Sequence, residues 1–224
     1  MTFSQARERL RAALSKPLPG IAAHTVLAPR PRRAWPANFD PAQIRQAAGL
    51  LLMFPVADRP HIVLTVRAHT LGRHGGQVSL PGGVIEPGET FEEAALREAH
   101  EEIALPIERV RVLGPLTPID IPVTGFRLHP IVAEIDAKPA LAPSDGEVAR
   151  ILDVPVAELL EPSRFATVDS IRDERAMSIP MFRVGPGQGH EIWGATAMVL
   201  AEFLTVLGWN GAGTADAGSV QDQH

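Results

Sequence analysis

Apolar residues recur at helical spacing in three stretches of the chain. Leu10, Ala13 and Leu14 predict a short helix over Phe3–Leu14. Leu96, Ala99 and Ile103 mark a second helix over Thr90–Ala104, whose start is signed by Thr90 with Glu93 three residues later, a capping box. Ala197, Leu200, Ala201, Leu204 and Leu207 predict a third over Ala195–Leu207. Shorter apolar runs read as strands. Gly49–Val56 and His61–Val66 flank the turn-like Ala57-Asp58-Arg59-Pro60, and a short strand ends at Leu80, broken by Pro81-Gly82-Gly83. Further strands are expected at Val110–Leu116, Arg127–Ile135 and Met177–Val184, and a short helix at Val154–Leu160. Asp40-Pro41 fits a helix start, whereas prolines 17, 19, 29, 31 and 36 predict extended, irregular chain from Lys16 to Asp40. Gly185–Gly189 lacks dinucleotide-binding spacing and reads as a hairpin turn. There is no internal repeat. Strands and helices mix without regular βαβ alternation, which favours an α/β (α+β) sandwich with a mixed sheet over a doubly wound one.

A length of 224 residues suits one large domain with extensions. The pattern divides into an N-terminal helix and proline-rich extension (1–45), a main domain (46–208) and a Gly/Ala/Ser-rich tail (209–224). The absence of cysteine excludes disulfides, thiolate metal sites and cysteine nucleophiles. The only lysines, Lys16 and Lys138, are each followed by proline, which excludes a Walker A loop. A net charge of −5 argues against a nucleic-acid-binding surface, though a local arginine cluster can still bind a small anion. No apolar run approaches the roughly 20 residues of a membrane span. The N-terminus lacks the apolar centre of a secretory signal, and Glu8 weakens its likeness to a transit peptide, so a cytoplasmic location is expected.

The helix over Thr90–Ala104 carries an excess of acid. Glu98, Glu101 and Glu102 fall within an arc of roughly 100°, beside the apolar face. Like charges at these spacings cost a few tenths of a kcal/mol per pair, and Arg97 is the only fixed cation on the helix. Such a cluster relaxes around a hard divalent ion such as Mg²⁺. On the helix alone, a solvated acidic face is the simpler reading. The preceding loop shifts the balance, because Gly82-Gly83 turns the chain so that a backbone carbonyl can point at the same ion, and Glu89 lies close to the helix start.

Gly83, Glu89 and the run Arg97-Glu98-Ala99-His100-Glu101-Glu102-Ile103-Ala104-Leu105 together resemble the Nudix box. The departure is Ala104, where the family usually has glycine. The resemblance implies a Nudix-type α/β/α sandwich and hydrolysis of a nucleoside diphosphate linked to another group. It implies that Glu98, Glu101 and Glu102, with the carbonyl of Gly82, ligate Mg²⁺ or Mn²⁺, and that a glutamate activates water. Arg97 would pair with Glu89 and orient the carboxylates. Physically, the metal neutralises the diphosphate and catalysis rests on positioning and charge stabilisation.

The segment before the box narrows the substrate. Leu64–Ala68, Leu71 and His74–Gly83 resemble the segment typical of coenzyme A diphosphatases, departing at Gly72, where arginine is usual, and at Leu80, where phenylalanine is common. Arg73 lies one position from the missing arginine. Coenzyme A carries a diphosphate and a 3′-phosphate, so Arg67, Arg73, His74, Gly76 and Gln77 are candidate binding residues through cations and backbone donors. Glu147, in Ser144-Asp145-Gly146-Glu147-Val148, is a candidate extra ligand or base, with a solvated loop acid as the alternative. Trp193 reads as a packing residue, with a wall of the active site as the alternative. The resemblance implies cleavage of coenzyme A or acyl-coenzyme A to adenosine 3′,5′-bisphosphate and (acyl-)4′-phosphopantetheine. It leaves a homodimer open. The rival expectations are hydrolysis of ADP-ribose or a dinucleotide, and a ligand-binding module without turnover.

Overall fold

The computed structural model describes residues 1–68, 75–144, 146–172, 175–186 and 189–211. In chain order these form α1 (Phe3–Leu14), α2 (Ile21–Leu27), β1 (Arg45–Val56), β2 (Arg59–Arg67), β3 (Val78–Ser79), β4 (Gly82–Val84), α3 (Phe91–Ile103) and β5 (Arg111–Pro115). There follow β6 (Ile119–Ile121), β7 (Phe126–Glu134), β8 (Val148–Pro155), α4 (Val156–Leu159), β9 (Phe165–Arg172), β10 (Arg175–Val184), β11 (His190–Trp193) and α5 (Gly194–Val206).

β1 organises the molecule because it is buried on both faces. Ala48, Leu50, Leu52 and Phe54 belong to one apolar core, and the alternate residues Leu51 and Met53 to another. The main sheet is ordered β3-β2-β1-β7-β5, with β4 on β1, β6 on β7 and β8 on β2. The β1–β7 pair is parallel and the other pairs are antiparallel, so the sheet is mixed. α3 covers one face through Ala94, Ala95, Ala99 and Ile103. The other face is covered by α1, α5 and residues of α2, together with the antiparallel sheet β11-β10-β9. The result is the α/β/α sandwich expected. Among the described residues no helix is long and apolar enough to cross a membrane.

Several local expectations are corrected. The proline-rich stretch contains α2, whose Ala23 and Leu27, four residues apart, are buried with α5 as their neighbour. Asp40 does cap a start, accepting from the Ala42 amide at 2.9 Å, but only a single 3₁₀ turn over Pro41–Gln43 follows before β1 begins. Pro81-Gly82-Gly83 does not simply break a strand, because Gly82–Val84 forms β4 against Ala47–Gly49. The short helix is confined to Val156–Leu159, since Val154 and Pro155 end β8, held in the sheet by β2. β6, β9 and β11 were not anticipated. β4 and β8 pair with strands distant in sequence, β1 and β2, which periodicity cannot reveal, whereas β6, β9 and β11 pair with their neighbours in sequence, β7 and β10. The expected hairpin at 185–189 does connect β10 and β11, which pair from Val184↔His190. Most of the tail lies outside the described residues.

A buried carboxylate ties the N-terminal segment to this frame. Glu202 on α5 is fully buried and accepts from the Gly20 amide (2.9 Å), the His24 ring (3.0 Å), the Thr117 amide (3.0 Å) and the Thr117 hydroxyl (2.6 Å). Burial alone pushes its pKa up, but the bonds from His24 and Thr117 outweigh this and hold it below the ordinary 4.5. A carboxyl depressed on folding stabilises the protein above its unfolded pKa and loses that contribution as pH falls through its folded value. Wild type is therefore expected to be more stable than Glu202→Gln at neutral pH, with the gap shrinking as pH falls from the ordinary carboxylate value through the depressed folded one. Urea titrations across that range measure it, and a pH-independent gap contradicts the assignment.

Candidate active site

α3 begins at a well-made cap. The Thr90 hydroxyl accepts from the Glu93 amide at 3.2 Å, and the Glu93 carboxylate accepts from the Thr90 amide at 2.8 Å. This fixes the rotation of the helix, and so where its acidic face points. Beneath it lies β4, one strand over from the centre of the sheet.

The acidic residues converge on one guanidinium. Arg97 donates Nε to Glu89 Oε1 (2.7 Å) and Nη2 to Glu89 Oε2 (3.1 Å) and the Val84 carbonyl (3.1 Å). Its Nη1 donates to Glu98 Oε1 (3.0 Å) and Glu101 Oε2 (3.1 Å). Five N–H groups thus meet five acceptors, the full capacity of the side chain. The bond from Arg97 holds the Glu89 carboxyl below the usual range, while Arg97 is itself pushed higher, chiefly by Glu89.

The three box glutamates differ in environment. Glu101 is exposed, Glu98 is half-buried and Glu102 is buried. Glu98 lies directly on Gly83: a Cβ there would sit 2.5 Å from its carboxylate, a distance real contacts do not reach. Burial pushes the Glu98 pKa up; Arg97 opposes the shift, and the charges of Glu101 and Glu147 reinforce it. Glu102 Oε2 accepts from the Gly82 amide at 3.1 Å. A side chain at Gly82 is barred as well, because its Cβ would fall 2.2 Å from the Ala48 carbonyl oxygen. The two glycines allow β4 to lie flush between β1 and the carboxylates.

The other candidates group nearby. Arg67, at the end of β2, places Nη2 3.0 Å from Glu147 Oε2, so the expected binding cation and the expected extra acid are paired with each other. The Arg67 amide donates to the Gln77 carbonyl (2.9 Å), and the Gly76 amide to the Arg67 carbonyl (2.8 Å). Arg73 and His74 lie outside the described residues. The Arg67–Glu147 pair was not anticipated, since nothing in the spacing of 80 residues signals it. Trp193 ends β11 and is partly exposed.

Among the described residues, no three His, Asp or Glu side chains are arranged as a ready-made cation cage. The donor chemistry nevertheless fits a hard divalent ion. Glu98 and Glu101, on adjacent turns, both accept from Arg97 Nη1, and Glu98 carries a burial and like-charge penalty that a cation would relieve.

A family model for the NUDIX domain matches residues 44–172. The chain is 38% identical over 167 residues to a protein of Cronobacter sakazakii described as the uncharacterized Nudix hydrolase NudL, covering 73% of this chain and 83% of that protein. It is 36% identical over 174 residues to the NudL of Citrobacter koseri, covering 76% and 87%. A crystal structure of a MutT/nudix family protein from Enterococcus faecalis is similar in fold, with a TM-score of 0.50 at 17% identity over 78% of this chain and 65% of that one.

The helix exit is where the chain departs from the box pattern. Ala104 adopts φ 53°, ψ 38°, the left-handed conformation, with its amide donating to the His100 carbonyl at 2.9 Å. An L side chain there costs roughly 1–2 kcal/mol that glycine avoids. Ala104→Gly is expected to raise Tm by about 2–4 °C, with the secondary structure unchanged. A calorimetric scan reads this, and a lower Tm contradicts it.

Proposed function

The chain belongs to the Nudix family of hydrolases, and we propose that it hydrolyses the diphosphate of coenzyme A or an acyl-coenzyme A. The products are adenosine 3′,5′-bisphosphate and (acyl-)4′-phosphopantetheine. The observation that carries this reading is continuity. The described parts of the segment resembling the coenzyme A diphosphatase motif lie on β2, β3 and β4 and end at the glycines that seat Glu98 and Glu102, and Arg67 of that segment is bound to Glu147.

Glu98, Glu101, Glu102 and the Gly82 carbonyl would hold Mg²⁺ or Mn²⁺. When bound, the ion supplies charge neutralisation of the diphosphate and activation of water. The chain's own residues do the rest. Arg97 prevents the carboxylates from splaying apart, fixing Glu98 and Glu101 relative to Glu89. The Gly82 amide fixes Glu102. Arg67 and Gln77, with Arg73 and His74 as further candidates, would offer cations and polar donors to the substrate's phosphates, while the Gly76 amide is committed to the Arg67 carbonyl and shapes the turn. Water adds to one phosphorus, the bridging P–O bond breaks, and the water's proton passes to a glutamate, for which Glu147 is the candidate. No covalent enzyme intermediate is required.

Chromatographic product analysis with coenzyme A and Mg²⁺ tests this. The expected outcome is two products split at the diphosphate, a loss of at least about a hundredfold in Glu102→Gln, and weaker turnover of 3′-dephospho-coenzyme A. Cleavage of ADP-ribose or a dinucleotide without turnover of coenzyme A overturns the substrate, and binding without turnover of any of these overturns the reaction.

A further inference from the structure

The last turn of α3 leaves carbonyls that no residue within the helix can satisfy. Those of Glu101, Glu102 and Ile103 are met by a segment that precedes β8. The Ala142 amide donates to the Ile103 carbonyl at 3.1 Å and the Ser144 amide to the Glu102 carbonyl at 3.1 Å. The Ser144 hydroxyl donates to the Glu101 carbonyl. The segment is fixed on both sides: Leu141 and Val148 pack into the apolar core beneath α3. Gly146, at φ +80°, turns the chain between this contact and Glu147. The Glu147 carbonyl in turn accepts from the Ala68 amide at 2.7 Å, its carboxylate meets Arg67, and its charge is felt at Glu98.

We infer that Ser144 is a positioning residue, which clasps the C-terminal turn of α3 and thereby holds Glu147 in register with the box carboxylates. The inference rests on the proposed function in so far as that reading makes Glu147 part of the site. One residue bonds the carbonyls of Glu101 and Glu102 together, so movement of the helix is transmitted to the segment bearing Glu147, and the reverse. The backbone bond from Ser144 survives substitution, whereas the hydroxyl bond does not, which makes a clean truncation available. The hydroxyl is exposed to water, so its loss is graded and leaves the fold intact.

The test is a double-mutant cycle of Ser144→Ala and Glu147→Gln, read as Mn²⁺ affinity by electron paramagnetic resonance and as kcat and KM for coenzyme A. Ser144→Ala is expected to weaken Mn²⁺ binding and to lower kcat by about three- to tenfold, with KM within twofold. Ser144→Thr, which keeps the hydroxyl, is expected to restore both. In the Glu147→Gln background the Ser144→Ala change is expected to have less than about a twofold effect, because the carboxylate it positions is gone. Equal losses in both backgrounds would reduce Ser144 to a structural cap, and an unchanged Ser144→Ala overturns the inference outright. Absence of coenzyme A turnover in the wild type counts against the substrate reading, while the Mn²⁺ cycle still decides the role of Ser144.

Discussion

The guanidinium of Arg97 is the interaction on which the site depends. Three carboxylates converge on one side chain, an arrangement that would push itself apart without a central cation. An ammonium group could not replace it, because five donors in a planar fork are needed to hold Glu89 on two atoms while reaching Glu98, Glu101 and the Val84 carbonyl together. With Arg97 so committed, the glutamates are held as a set, and Glu98 can remain on the bare Cα of Gly83 despite the burial that opposes its charge.

That local arrangement is carried by the fold. β1 is enclosed by two cores, and its first half presents Ala47–Gly49 for pairing with β4. β4 sets the level at which the glycines lie, and α3 packs on the sheet beside it through small residues, Ala94, Ala95 and Ala99, in one core with Ala48 and Leu50 of β1. On the opposite face, Glu202 gathers α2, the turn after β5 and α5 around one buried charge. Two buried or half-buried acids thus have opposite fates. Glu202 is saturated with donors and held ionised, a structural charge, whereas Glu98 is left with a penalty that favours a cation or a proton.

Much of the site was legible in the sequence because its parts lie close together along the chain. The capping box at Thr90 and Glu93, the acidic arc of α3 and the glycine pair before it are local patterns, and the structure assembles them around Arg97. Much of what escaped the sequence is non-local. Strand β8 forms because β2 offers it a partner; Val154-Pro155-Val156 alone looks as suited to a helix. α2 exists because Ala23 and Leu27 find α5, although prolines bracket it. The meeting of Arg67 with Glu147 and the seat of Ser144 on α3 each join segments about 40 or more residues apart, where no spacing rule applies. Even the unusual Ala104 was visible only as a departure from a pattern, and its left-handed backbone gives that departure a physical meaning.

The central claim is that the carboxylates gathered by Arg97 form a site for a divalent cation that serves diphosphate hydrolysis. The most direct test is an Mn²⁺ titration of the wild type and Glu98→Gln, followed by electron paramagnetic resonance at neutral pH. Saturable binding in the wild type that weakens by about tenfold or more in Glu98→Gln, with the circular dichroism unchanged, is the predicted result. Equal affinity in the two proteins would contradict the account, because the half-buried carboxylate on Gly83 would then have no part in holding the ion.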